Sequence, residues 1–163
     1  MKGVVAYDTY FGNTKRVAEA IAEQIKADGH DVEIRNVREK YPTPPQGDFL
    51  FVGGPNRMKH LSRKTKKFVK KLDLAAWKGK PIVVFATVGK IPGENATEKE
   101  KVDAEKWVLA AAPELRDFAR ERGLNAAEQV LLVEVKDTKG PLVDDGIEHA
   151  KAFTHDVVQT LKK

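Results

Sequence analysis

The chain has 163 residues, 41% apolar and 33% charged, with 29 Lys and Arg against 24 Asp and Glu and no cysteine. That length suits a single domain spanning 1–163 with a full core, and the composition excludes a disordered or fibrous chain. The missing cysteine excludes a disulfide framework, a thiol nucleophile and iron–sulfur ligation by the protein. With no apolar run as long as a membrane span and no leader-like start, the expectation is a cytoplasmic protein without a membrane segment.

Taken in order, the chain alternates strands and helices. Gly3 to Tyr7 predicts a first strand. A helix follows from Gly12 or Asn13 to Asp28, with Val17, Ala18, Ile21, Ala22 and Ile25 at helical spacing and Gly29 as its stop. Asp31 to Val37 alternates Val32 and Ile34 with Glu33 and Arg35, which suits an edge strand. Residues 39–47 hold three prolines and read as a loop. Phe49 to Val52 is apolar on both faces, as a central parallel strand should be, and Gly53-Gly54-Pro55 is expected to end it. A second helix is predicted from Ser62 to Leu72 and a fourth strand from Ile82 to Ala86, with a glycine-bearing loop over Val88–Thr97. Glu98 to Arg122 reads as helical and split at Pro113, since proline cannot donate inside a helix. Gln129 to Val135 is the fifth strand and Asp144 to Leu161 the last helix. Five short strands alternating with helices imply a parallel sheet covered on both faces.

The chemistry concentrates at Thr9-Tyr10-Phe11-Gly12-Asn13-Thr14, between the first strand and the first helix. A helix N-terminus carries N–H groups without intrahelical partners and partial positive charge, so it favours a phosphate. Thr9, Asn13 and Thr14 add side-chain donors, and Gly12 permits a close backbone approach. The loop lacks the Gly-Lys-Ser/Thr of a Walker A motif and the three spaced glycines of a dinucleotide site. An ordinary strand–turn–helix with a Thr cap is the competing reading. Asp8, beside the loop, reads as a residue that orders the turn. Trp77 and Trp107 read as packing residues.

This hexapeptide, directly after the first strand, resembles the FMN-phosphate loop of flavodoxins. Further pieces resemble the same family in the right order: Ala27-Asp28-Gly29-His30-Asp31-Val32-Glu33, Gly53-Gly54-Pro55-Asn56, and Lys139-Gly140-Pro141-Leu142 ahead of Ala150-Lys151-Ala152-Phe153. The resemblance implies an α/β flavodoxin-like three-layer sandwich, its five-stranded parallel sheet in the order 2-1-3-4-5 with helices on both faces. It also implies FMN as cofactor. Thr9, Tyr10, Phe11, Gly12, Asn13 and Thr14 would take the phosphate, Tyr10 and Phe11 mainly through backbone N–H groups. Pro55, Asn56, Arg57, Met58, Thr87, Val88 and Gly89 are the ring-side candidates, in loops beyond the strand C-termini. The family commonly stacks aromatic side chains on the ring, yet residues 54–61 and 87–97 contain none. Met58, Arg57 or His60 would have to cover the ring, or Phe11 or Trp107 reach in from elsewhere. Gly53 and Gly54 suggest a peptide that rearranges on reduction, and Gly89 a close approach. Arg57, Lys59, His60 and Lys90 would favour the negatively charged reduced flavin.

Arg57, Lys59, Arg63, Lys64, Lys66, Lys67, Lys70 and Lys71 occur with no acid before Asp73. Such a run is either a solvated helix face or a docking patch, over Arg57–Lys71, for an acidic redox protein. Its one aromatic, Phe68, falls at an inward helix position and does not form a single-strand platform, which argues against nucleic acid. The expected function is an FMN-binding electron carrier, a monomer or weak dimer. The alternatives are an FMN-dependent NAD(P)H:quinone oxidoreductase and a flavin-free interaction module that docks through its basic face.

Overall fold

The structure is a computed structural model and describes residues 1–161. Its centre is a parallel sheet in which β1 (Lys2–Tyr7) lies between β2 (Asp31–Asn36) and β3 (Phe49–Arg57), with β5 (Pro81–Val88) beyond β3. The last position along β5 is shared by two short strands, β6 (Asn125–Ala126) against Pro81–Ile82 and β7 (Leu131–Glu134) against Phe85–Val88. The predicted order 2-1-3-4-5 is therefore present, but the described residues form seven strands rather than five. The fifth strand is broken at residues 127–130. The seventh strand is β4 (His60–Leu61), which folds back on the end of β3 in an antiparallel hairpin.

Strand alternation sends successive side chains to opposite faces. Val5, Tyr7, Phe49, Phe51, Val83, Phe85, Leu131 and Val133 pack under α1 (Asn13–Ala27) and α5 (Gly146–Leu161). Val4, Ala6, Leu50, Val52, Ile82 and Val84 pack under α2 (Arg63–Lys70) and α4 (Ala111–Glu121), joined there by Trp77. Each such side chain contributes about 1.5–3 kcal/mol by leaving water, which makes the central strands the anchor of the fold. β2 takes the edge that its alternation predicts. Its Arg35, buried to 5% exposure, reaches the carbonyl of Thr43 at 2.6 Å and fastens the proline-rich loop across the edge.

One local expectation is corrected. Gly53 and Gly54 do not end the third strand; β3 runs nine residues through them to Arg57. They pair with Phe85 and Ala86. A Cβ on Gly53 would lie 2.2 Å from the Phe85 carbonyl, and one on Gly54 2.2 Å from Thr65 Oγ1. Glycine here lets a neighbouring strand and helix approach. Both peptides sit inside a paired ladder, not in a loop free to rearrange.

The long helical stretch is α3 (Glu98–Ala104), one π-helical turn over Glu105–Leu109, and then α4. The stretch is split as Pro113 predicts, at Ala110, because proline at the third position of α4 has no N–H to bond the Leu109 carbonyl and continue the helix back through it. What the periodicity does not show is the π turn ahead of the break.

Candidate functional site

The loop after β1 is tightly braced. The Asp8 N–H donates to the Gly53 carbonyl at 3.1 Å. The Asp8 carboxylate is fully buried and accepts from the Thr9 N–H at 2.9 Å. Both its oxygens also accept from Arg38, Nε at 2.5 Å and a terminal nitrogen at 3.3 Å. That hydrogen bond holds the Arg38 guanidinium above its ordinary pKa. Thr9 Oγ1 accepts from the Gly12 N–H at 2.9 Å. Gly12 then enters α1 with φ 92°, a left-handed backbone that suits glycine, and no side chain caps the helix. Nor does an acid lie in the first turn of α1 to compete for an anion.

The remaining loop residues face three ways. Thr14 and Thr87 share a buried hydroxyl–hydroxyl hydrogen bond of 2.8 Å, tying the helix start to the end of β5. Asn13 Nδ2 donates to the Lys139 carbonyl at 3.1 Å, which brings the turn after β7 against the loop. Tyr10 and Phe11 turn their rings outward. The guanidiniums of Arg38 and Arg57 lie 4.9 and 4.5 Å from the centre of the Tyr10 ring.

Beside Phe11 opens a cleft of about 460 Å³. Its walls include all seven ring-side candidates, Pro55, Asn56, Arg57, Met58, Thr87, Val88 and Gly89, together with Lys90, Trp107 and residues 135–138. Residues from distant parts of the chain meet here because β1, β3, β5 and β7 are parallel and their C-terminal ends share one edge. Phe11 and Trp107 supply the two aromatic rings. Trp107 is 38% exposed on the cleft wall, so it reaches in rather than serving as a packing residue, whereas Trp77 is buried in the core. Asn56 Nδ2 holds the π turn in place by donating to the Trp107 carbonyl at 2.7 Å. The other amide atom of that side chain, Asn56 Oδ1, is buried without a hydrogen-bond partner. Met58 sits at the hairpin tip with φ 62° and is 74% exposed. A Cβ on Gly89 would meet nothing within 4 Å, so packing does not demand glycine there.

Of the four cations expected around the ring, Arg57 and Lys90 line the cleft and Lys59 lies over the Trp107 indole at 4.9 Å. His60 instead pairs with Glu114 of α4 at 2.8 Å. The sequence reading missed Arg38 and residues 135–138. The latter had a signal, since the loop after the fifth strand opens at the same sheet edge as the others.

The basic run forms one wall of a groove of about 1210 Å³ between α2 and α4, with Pro113, Glu114, Asp117, Phe118 and Glu121 opposite. Lys66 Nζ lies 4.8 Å from the centre of the Phe118 ring. Among the described residues, Arg63, Lys64, Lys66, Lys67, Lys70 and Lys71 make no ion pair. A second cleft of about 660 Å³, lined in part by Tyr10, Arg38, Arg57, Arg63 and Lys64, adjoins the groove, with which it shares Arg63, Lys66, Glu114 and Phe118. Among the described residues no helix is long and apolar enough to cross a membrane.

Comparison with known proteins fits this architecture. A flavodoxin from Aquifex aeolicus is 34% identical over 99 residues, covering 58% of this chain and 54% of that one. An uncharacterized protein of Methanocaldococcus jannaschii is 33% identical over 105 residues, 61% of this chain but 26% of its own length. The chain thus spans about half, or about a quarter, of these curated relatives. Among solved structures, a flavodoxin from the domain Archaea is similar over 100% of both chains at 23% identity and a TM-score of 0.73. Flavodoxin 1 of Bacillus cereus is similar over 98% of both at 20% identity and 0.68. The Flv1 flavodiiron core of Synechocystis is similar over 99% of this chain and 36% of that one, at 20% identity and 0.71. The family model described as Flavodoxin domain matches residues 4–135, and the chain belongs to that family.

Proposed function

We propose that this protein binds FMN without a covalent link and carries electrons between partner proteins in the cytoplasm. One observation carries the reading. The seven ring-side candidates come from separate parts of the chain, yet they line one cleft at the sheet edge, and the loop 9–14 borders it through Phe11. The residues present fit the group. The N-terminus of α1 and the backbone N–H groups of residues 10, 11, 13 and 14 suit a phosphate, while the Thr9 hydroxyl, which accepts from the Gly12 N–H, and the Asn13 and Thr14 side chains keep that loop in shape. Phe11 and Trp107 suit the flat faces of a flavin, and the buried Asn56 Oδ1 offers an acceptor to a ring N–H.

Bound FMN would supply reversible uptake of one or two electrons; the protein binds it and sets how readily it is reduced. Arg57 and Lys90 on the cleft wall would stabilise added negative charge, each on the order of 1 kcal/mol in an exposed setting. The cations of α2, which make no ion pair among the described residues and of which Arg63, Lys64 and Lys66 line a second cleft that shares Arg57 and Met58 with the first, suit an acidic redox protein as partner. Such charges speed encounter more than they tighten a complex.

The test is an FMN titration of purified protein followed by flavin fluorescence. The expected result is quenching with one-to-one stoichiometry and an altered visible spectrum. No binding at high micromolar FMN would overturn electron transfer and leave a flavin-free protein that docks through its basic face.

A further inference from the structure

Asp8 poses a problem for a phosphate site. Its carboxylate is fully buried directly before the loop and already holds the loop's first amide, the Thr9 N–H. A phosphate seated on residues 10–14 would therefore approach a buried charge of its own sign. Arg38 answers this charge. It comes from outside the loop, on the turn that follows β2. That turn is fixed by the Val37 N–H on the Tyr7 carbonyl at 2.9 Å and the Arg38 N–H on Asn36 Oδ1 at 3.0 Å. From there the guanidinium covers both Asp8 oxygens, and it also lies over the ring of Tyr10.

We propose that Arg38 is a positioning and specificity residue of the flavin site: by neutralising buried Asp8 it lets the loop accept the phosphate, so that the protein prefers FMN to riboflavin. The inference rests on the FMN reading above. Arg38 does not touch the ring-side cleft, whose walls do not include it. Its loss should therefore fall on the phosphate and spare the isoalloxazine. A purely architectural ion pair would behave otherwise. Breaking it would loosen the whole loop and weaken both flavins together.

The experiment is paired titration of flavin-free protein with FMN and with riboflavin, for wild type, Arg38→Met, Asp8→Asn and the double variant. Met keeps an apolar stem against Tyr10, and Asn keeps an acceptor for the Thr9 N–H. Wild type should bind FMN at least about tenfold more tightly than riboflavin. Arg38→Met should lose roughly ten- to a hundredfold for FMN, the range expected when a like charge is left unscreened near a phosphate. Its riboflavin affinity should stay within about a factor of two. The double variant should recover FMN binding, and Asp8→Asn alone should bind FMN at least as well as wild type. Equal losses for the two flavins in Arg38→Met, or no recovery in the double variant, overturn the proposal. If Arg38→Met does not fold, Asp8→Asn decides alone, because weaker FMN binding there contradicts the argument. Wild type that binds neither flavin overturns the FMN reading and this proposal with it, so the two failures are told apart by the unmutated protein.

Discussion

Gly53→Ala should be among the most damaging single-methyl changes in this protein, and Gly89→Ala among the mildest. Both glycines end apolar strand segments in the sequence, and both read as breakers next to the ligand. The structure separates them. A Cβ on Gly53 would sit 2.2 Å from the Phe85 carbonyl oxygen and 2.6 Å from its ring, more than 1 Å inside ordinary contact. The carbonyl belongs to the neighbouring strand, so relief requires β3 and β5 to separate within a register that runs from Leu50↔Ile82 to Pro55↔Thr87. Overpacking a well-filled site costs about 1–3 kcal/mol, and a backbone neighbour that cannot swing away puts this case at or above the upper end. The lower entropy of an unfolded Ala chain offsets only about 0.4–1 kcal/mol. The net expectation is a loss of about 2–3 kcal/mol, or roughly 4–12 °C in Tm for a chain of this size. At Gly89 nothing lies within 4 Å and the same entropy acts unopposed, so the change should be neutral or slightly stabilising. Urea unfolding of flavin-free protein measures both. Equal midpoints for Gly53→Ala and wild type would show that β3 and β5 are not so close, and the account of these glycines would fail.

Trp107→Ala should weaken FMN and riboflavin by the same factor, roughly tenfold, because the indole acts on the ring and not on the phosphate. At 38% exposure its removal should barely move the unfolding midpoint, and unequal effects on the two flavins would contradict its placement. Burial, and then Glu39, push the Tyr7 phenol above its ordinary value of 10.0, so the folded state favours the neutral form. That contribution to stability is complete below about pH 10 and is lost as pH rises through the folded value. Tyr7→Phe should therefore flatten the alkaline limb of the stability curve, and an unchanged slope in urea midpoints between about pH 9 and 11 would refute the assignment. Reversing two α2 cations, Lys66→Glu with Lys67→Glu, should slow reduction of the FMN-loaded protein by an acidic redox protein. Most of that effect should vanish at high salt, and stopped-flow rates that ignore ionic strength would rule out steering by this helix.

The reach of the sequence follows from which signals are local. A strand, a hydroxyl-rich turn and a helix start are contiguous, so the loop 9–14 was legible from six residues. The ring-side set needed only the topological rule that loops after parallel strands share an edge, and Pro55–Met58 and Thr87–Gly89 do line one cleft. The hairpin at Arg57–His60 was invisible because its turn carries no glycine. Met58 itself adopts φ 62°, and no turn motif announces that. Trp107 carried two readings, packing or reaching into the ring site, and its place on the cleft wall fits the second. A π turn lengthens the repeat over Glu105–Leu109, so a period of 3.6 no longer tells which residues face the core beyond Ala104. The Asp8–Arg38 pair joins residues thirty positions apart across a strand crossover; Asp8 stood out as a turn-ordering residue, but nothing local names Arg38 as its partner.

Three residues that depart from the regular pattern share a location. The outward-facing Trp107, the left-handed Met58 and the buried Asp8 all violate a rule that holds elsewhere in the chain. Each lies on the cleft or beneath the loop that borders it. A core position is dictated by its periodicity, since every departure there costs packing. A position that meets a ligand answers to a different partner, absent from the pattern that periodicity reads. Trp107 and Met58 line the cleft and Asp8 braces the loop beside it, so these departures gather where the sheet edge opens.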